Sequence, residues 1–326
     1  MKKILTFLAA VLFAALPFAG AMDGDARDHQ STRRIVSSHL TSAAGHTVAS
    51  AKTETREYKL SGFRGLDVSW AYQVVLTQSN KYSVRIEAPE NLMDHLDVRV
   101  SDNTLKLGLK DNHASRRIEM GGRNVVRAYV SMPSLNELEM SGATKLDASG
   151  QFNAHREFKL DLSGASQARG LNIKADEVEI DCSGASHFEL SGHFDKLECD
   201  MSGAAKGTLT GNVKRVEMDL SGAAKLIQNG SIGSLEMDAS GSANYTLTGG
   251  LDSFTLEASG AAKIDTAEAP ADRVRVRLSG AANASVDVRK ELSVNLTGAA
   301  RCRYRAGAKL RITEQSVSRG ASLNKI

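Results

Sequence analysis

Val216-Glu217-Met218-Asp219-Leu220-Ser221-Gly222-Ala223-Ala224 is the stretch whose reading decides the fold. Three apolar residues alternate with two acids and then stop at a Ser-Gly step. One period earlier the chain reads Leu197-Glu198-Cys199-Asp200-Met201-Ser202-Gly203, and later Val274-Arg275-Val276-Arg277-Leu278-Ser279-Gly280. The step itself falls at Ser141, Ser163, Ser183, Ser202, Ser221, Ser240, Ser259 and Ser279, each followed by Gly. It closes on Thr297-Gly298, and its intervals run from 18 to 22 residues. Strict alternation is the period of a half-buried strand. A fixed repeat of this size means a solenoid, in which each repeat buries its apolar face only by stacking on its neighbours. A second glycine series, Gly192, Gly211, Gly230 and Gly249, returns every 19 residues and marks another tight corner. No segment carries a helical apolar period, and the asparagine ladder of leucine-rich repeats is missing. The expected fold is all-β, a right-handed parallel β-helix of about 19–20 residues per coil.

Outward from the repeat, the 326-residue chain divides into recognisable parts. Met1-Lys2-Lys3, an apolar run to Phe18, and Ala19-Gly20-Ala21 read as a signal peptide over 1–21. Residues 22–56 read as a disordered linker. A single β-helix domain is expected over 57–310, with irregular N-terminal coils over 57–135, regular coils over 136–305, and a tail or cap over 311–326. Strand candidates in the irregular part are Val74–Leu76, Tyr82–Ile86, Leu96–Val100, Thr104–Leu107 and Val125–Val130. Asn80-Lys81 and Asp102-Asn103 read as hairpin turns, and 111–124 as a polar loop. Cys182 and Cys199 fall in columns two residues apart on adjacent coils, too far for a bridge. They and the remote Cys302 are expected as free, buried thiols. The mature chain is expected outside the cytoplasm, in the periplasm, on the outer-membrane surface or secreted. It is expected to carry no transmembrane segment and no nucleic-acid partner, because interleaved stacking aromatics are lacking.

Stacking converts sequence columns into surface ladders. Two residues before each Ser stand Glu139, Asp161, Asp181, Asp200, Asp219, Asp238, Glu257, Arg277 and Asn295. Four before it stand Glu137, Lys159, Glu179, Glu198, Glu217, Glu236, Thr255 and Arg275. Four after it stand Lys145, Gln167, His187, Lys206, Lys225, Asn244, Lys263, Asn283 and Arg301. Like charges one strand spacing apart, about 4.8 Å, repel by about 0.9 kcal/mol even in water. Screening by solvent, salt and the basic ladder is the bland compensation; bridging by calcium, or docking of a basic or polysaccharide partner, is the functional one. Charge also divides along the axis. Residues 136–267 carry 11 basic against 20 acidic side chains, net −9, and residues 268–326 carry 12 against 5, net +7. The basic end reads as a solvated cap against end-to-end stacking, or as a contact for an anionic polymer or membrane. Asp181, Asp200, Asp219, Asp238, Lys206, Lys225, Arg275 and Arg277 are the binding candidates. Trp70 and Tyr72 read as sharing one strand face, packed in the core or stacked on a sugar. No catalytic motif, metal motif or cofactor fingerprint is present, so neither catalytic residues nor a cofactor is expected.

The opening Phe63-Arg64-Gly65-Leu66-Asp67-Val68, then Val74-Val75-Leu76-Thr77-Gln78 and Val84-Arg85-Ile86-Glu87-Ala88, resembles the bacterial autotransporter-adhesin head, or GIN, domain family. So does Ala128-Tyr129-Val130-Ser131-Met132-Pro133-Ser134-Leu135 leading into Leu138-Glu139-Met140-Ser141-Gly142-Ala143. The resemblance covers about residues 57–305 and implies an extracytoplasmic right-handed β-helix with an adhesin-like role. No translocator barrel follows the repeat, so self-export is not expected. The expected function is non-enzymatic presentation of ladders to a glycan or envelope protein. Alternatives are a polysaccharide lyase or hydrolase on the same scaffold, and a structural stalk.

Overall fold

The computed structural model describes residues 52–110 and 125–326. The signal-peptide reading, the polar-loop reading over 111–124 and nearly all of the linker lie outside them. The linker reading runs too far, because the first strand, β1 (Thr53–Tyr58), lies partly inside it. After it come β2 (Gly65–Val68), β3 (Tyr72–Gln78), β4 (Ser83–Pro89), the short helix α1 (Glu90–Met93), β5 (Leu96–Ser101), β6 (Thr104–Leu109), β7 (Val126–Met132), β8 (Glu137–Met140) and β9 (Lys145–Ser149). From there the chain winds as an all-β parallel solenoid of about ten coils.

One regular coil shows how the repeat closes. Val216, Met218 and Leu220 point inward on the first face, and Ser221-Gly222-Ala223 turns the corner. Leu226 and Gln228 line the second face, Asn229-Gly230 turns again, and Ile232 fills a short third side. Two consecutive outward residues, Gly233 and Ser234, then bring the chain back to Leu235. This coil pairs in parallel with the next without slippage: Glu217 sits beside Glu236, Met218 beside Met237, and Asp219 beside Asp238. Two continuous sheets result. One runs from β5 through β6, β2 and β8 along every Ser-Gly approach strand. The other runs from β1 through β4, β7, β3 and β9 along every strand after the corner.

The Ser-Gly-Ala corner demands glycine for two reasons. Gly164, Gly184, Gly203, Gly222, Gly241 and Gly260 have φ between +65° and +69°, a region that L side chains avoid. Their corners also stack closely. The Ala223 amide donates to the Gly203 carbonyl and Ala204 to Gly184, each at 2.7 Å. A Cβ on Gly222 would lie 2.7 Å from the Gly203 oxygen. The first rung is instructive: Ala143 donates to the carbonyl of Trp70, which has φ 75° and no glycine corner before it. A Cβ is tolerated there because only the later rung would collide. Trp70 therefore turns a corner and does not share a strand face with Tyr72. The two meet edge-on at 6.5 Å, and Tyr72 is buried with its hydroxyl donating to Gly108 O at 3.1 Å.

The N-terminal coils are less regular. Asp102 and Asn103, with φ 52° and 61°, turn the β5–β6 hairpin as expected. Asn80-Lys81 does not make a hairpin. Solenoid stacking takes both edges of β3, with β7 on one side and β9 on the other, so β4 pairs with the outer edge of β7. Residues 311–326 form a last coil, with strands Arg311–Val317 and Ser322–Lys325. All three cysteines are free and buried. Burial pushes the Cys182 and Cys302 thiols up to about 12, which leaves them protonated and unreactive.

Two glycine variants separate the two demands of the corner. Gly222→Ala should lower the unfolding free energy by about 2–5 kcal/mol, from backbone strain plus the clash. Gly62→Ala, at φ +82° with nothing within 4 Å of the added methyl, should lose about 1–2 kcal/mol from strain alone. Equal losses in denaturant titration would refute the close-stacking account.

Candidate functional site

The ladder read from the sequence is a real column, and it is longer than expected. Register places Asp67 beside Glu139, then Asp161, Asp181, Asp200, Asp219, Asp238 and Glu257. Lys106 stands next to Asp67 at one end and Arg277 next to Glu257 at the other. Each end is closed by an ion pair, Lys106 Nζ to Asp67 at 3.2 Å and Arg277 to Glu257 at 2.5 Å. Between these pairs, among the described residues, no carboxylate from Glu139 to Asp238 has a cationic partner within 4 Å. The neighbouring outer column is treated differently: Lys159 contacts Glu179 at 2.8 Å, and Lys196 reaches Glu198 at 3.1 Å and Glu217 at 3.8 Å.

The inner carboxylate column and the serine corner enclose a shallow groove along the axis. One stretch, of about 560 Å³, runs from Asp67 past Asp161, Ser163 and Asp181 to Ser221. The next, of about 500 Å³, shares Asp219 and Ser221 and continues past Asp238, Ser240 and Glu257 to Arg277 and Thr297. Asp181, Asp200, Asp219 and Asp238 thus come together on one wall, and Arg277 ends it. Lys206 and Lys225 stack directly on each other, but they lie around the corner on the second sheet. Arg275 lies in the adjacent column and lines a separate small depression with Thr255, Arg273 and Ser293. Asp67 and Lys106 escaped the sequence reading because their coils are broken by β4–β5. A signal was present, since Leu66-Asp67-Val68-Ser69-Trp70 is one rung with Trp in place of Gly.

Crowding shows in the proton affinities. Partial burial, then the carboxylates of Asp219, Asp181, Glu198 and Glu179, push Asp200 up to about 6. Glu139, Asp161, Asp181 and Asp238 are raised for the same reasons, burial first and neighbouring acids second. The acids stand in file, one per rung, and no group of three or more metal-ligating side chains converges among the described residues.

A parallel β-solenoid bearing a long periodic polar groove defines a class of repeat-built protein. The chain belongs to the family described as "Putative auto-transporter adhesin, head GIN domain", which matches residues 62–230 and 207–308. Among solved structures, it is similar to a "putative lipid binding protein" from Parabacteroides distasonis (19% identity, 85% of this chain and 98% of that one, TM-score 0.44). A "putative adhesin" from Parabacteroides merdae shares 15% identity over 85% and 97% of the two chains, with TM-score 0.45. Another from Parabacteroides distasonis shares 13% over 85% and 98%, with TM-score 0.46. No curated protein matches the chain.

The raised carboxyls give an unusual pH dependence. They bind protons more tightly folded than unfolded, so stability should rise as pH falls through the window from about 6 to about 4 for Asp200. Solvent on the outer side of the column keeps the effect modest. Thermal melts should therefore shift upward between pH 8 and 5. Asp200→Asn should melt above the parent at pH 8 and show a shallower pH slope. A parent melting temperature that falls steadily over that range would exclude the crowded-ladder account.

Proposed function

We propose that this protein is an extracytoplasmic, non-enzymatic, adhesin-like binding module whose contact surface is the carboxylate–serine groove, and that its ligand is an extended glycan bearing amino groups. The carrying observation is the run of six carboxylates, Glu139 to Asp238, none of which forms an ion pair within 4 Å among the described residues, while each end of the column is closed by one. A linear polymer laid along the axis meets the same acid–hydroxyl rung about every 4.8 Å. Ammonium groups would relieve the mutual repulsion of the acids, and sugar hydroxyls would find carboxylate acceptors and serine hydroxyls side by side. Membership of an adhesin-head family supports export and a binding role. Against catalysis, the acids share one wall and near-equivalent environments, whereas glycoside cleavage uses two carboxyl groups facing each other across the scissile bond. No helix among the described residues is long and apolar enough to cross a membrane.

Calorimetry with soluble amino-glycan, neutral and uronic-acid oligosaccharides tests the reading. The amino-glycan should bind in a salt-sensitive way, with its length unchanged and with no dependence on calcium. Asp181→Asn/Asp200→Asn/Asp219→Asn should weaken binding by at least about tenfold, the order of one lost charge-assisted contact. Preference for the uronic-acid oligosaccharide, or shortened products, would overturn it.

A further inference from the structure

The second sheet carries a charged row that the groove does not use. Register stacks Lys206, Lys225, Asn244, Lys263, Asn283 and Arg301 in one outward column. Its four cations are all exposed. Among the described residues none of them forms an ion pair within 4 Å, although His187 meets Glu189 at 3.4 Å before the row and Arg305 meets Glu268 at 3.3 Å beyond it. The neighbouring outward column reads Thr208, Ile227, Thr246, Asp265, Ser285 and Arg303 over the same coils. Its single carboxylate, on Asp265, accepts the Ala267 amide at 3.1 Å. Over these coils the two columns hold five cations against one acid.

The spacing of the row is selective. From Lys225 onward a cation stands on every second coil, at Lys225, Lys263 and Arg301. Charge therefore recurs about every 9.6 Å, twice the strand spacing. The coils between carry amides. The Asn244 side-chain N–H donates to Ser242 O and that of Asn283 to Ala281 O, each at 2.8 Å. These bonds hold both amides in the same pose and leave each Oδ1 as an acceptor.

A row one side chain wide suits a line of charges and not the two-dimensional charge of a bilayer. Lysine meets an anion as a point charge on a flexible stem, so carboxylate and sulfate are equally acceptable to it. An extended polysaccharide with an anionic group on every second sugar repeats its charge at close to the two-coil interval. Its intervening sugars bring hydroxyl or amide donors to the asparagine oxygens.

We infer that an acidic polysaccharide carrying one anionic group for every two sugars lies along the Lys225–Arg301 row of the second sheet. The contact is separate from the carboxylate–serine groove and does not rest on the reading proposed for it. Its cations stand on every second coil, whereas the groove has an acid on every coil, so it is the weaker of the two contacts.

Calorimetry with hyaluronan oligosaccharides, which bear one carboxylate for every two sugars, tests the inference. A hexasaccharide, with a carboxylate for each cation of the row, should bind at about 0.05 M salt and be released at about 0.5 M. A disaccharide, which meets a single cation, should bind at least about tenfold more weakly. Lys225→Gln/Lys263→Gln should weaken hexasaccharide binding by at least about tenfold and keep the parent's β circular dichroism, because both side chains are exposed. Asp181→Asn/Asp200→Asn/Asp219→Asn should not weaken it, which separates failure here from failure of the groove reading. Absence of binding, binding that survives the lysine variant or ignores length, or binding lost in the groove variant would overturn the inference. So would tighter capture by vesicles of anionic phospholipid that the same lysine variant abolishes, since the row would then serve a membrane.

Discussion

The hydrogen bond on which this molecule depends joins one corner to the next, from an alanine or serine amide to the glycine carbonyl of the preceding coil at 2.7 Å. A single such bond contributes about 0.5–1.5 kcal/mol net. Its structural consequence is larger than its energy. It brings corner backbones so close that a Cβ on the next glycine would sit 2.6–3.0 Å from the oxygen below it in the regular coils. A corner that cannot slide holds both flanking strands in register. Sheet pairing, the apolar core columns and the surface ladders all follow from that constraint.

In-register stacking is indifferent to what the outward residues are. Once Asp200 lies beside Asp181 and Asp219, partial burial and then their mutual repulsion are built in, and together they appear as raised proton affinity. The outer column is paired locally by Lys159 and Lys196, and among the described residues the inner one forms ion pairs only at its ends, with Lys106 and Arg277. An unpaired row of acids lowers the stability of the free protein, and a cation that prefers the folded state would stabilise it by mass action.

A solenoid grows in one dimension, and its ends are the places where the repeat cannot satisfy itself. The N-terminal end solves this by breaking the pattern: antiparallel β4 and β5 and the short α1 close over the core. The last coil keeps the pattern, with Ser318, Gly320 and Ala321 repeating the corner.

Sequence alone determined the solenoid, its corners, its inward columns and the Asp181–Asp238 line, because each depends on spacing along the chain and stacking is periodic. It also separated Cys182 from Cys199, since a two-residue offset in register is arithmetic. Tertiary structure alone decided what depends on which strands become neighbours where the period fails. Asp67 joins the ladder across a break of some seventy residues, β7 displaces the expected β3–β4 hairpin, and Trp70 opens a glycine column because no glycine corner lies before it. Only the assembled molecule shows that Lys206 and Lys225 face away from the groove, since a corner's angle is not written in its length. Periodicity carries information about neighbours one repeat apart; the breaks and the ends are set by long-range pairing, which no local pattern encodes.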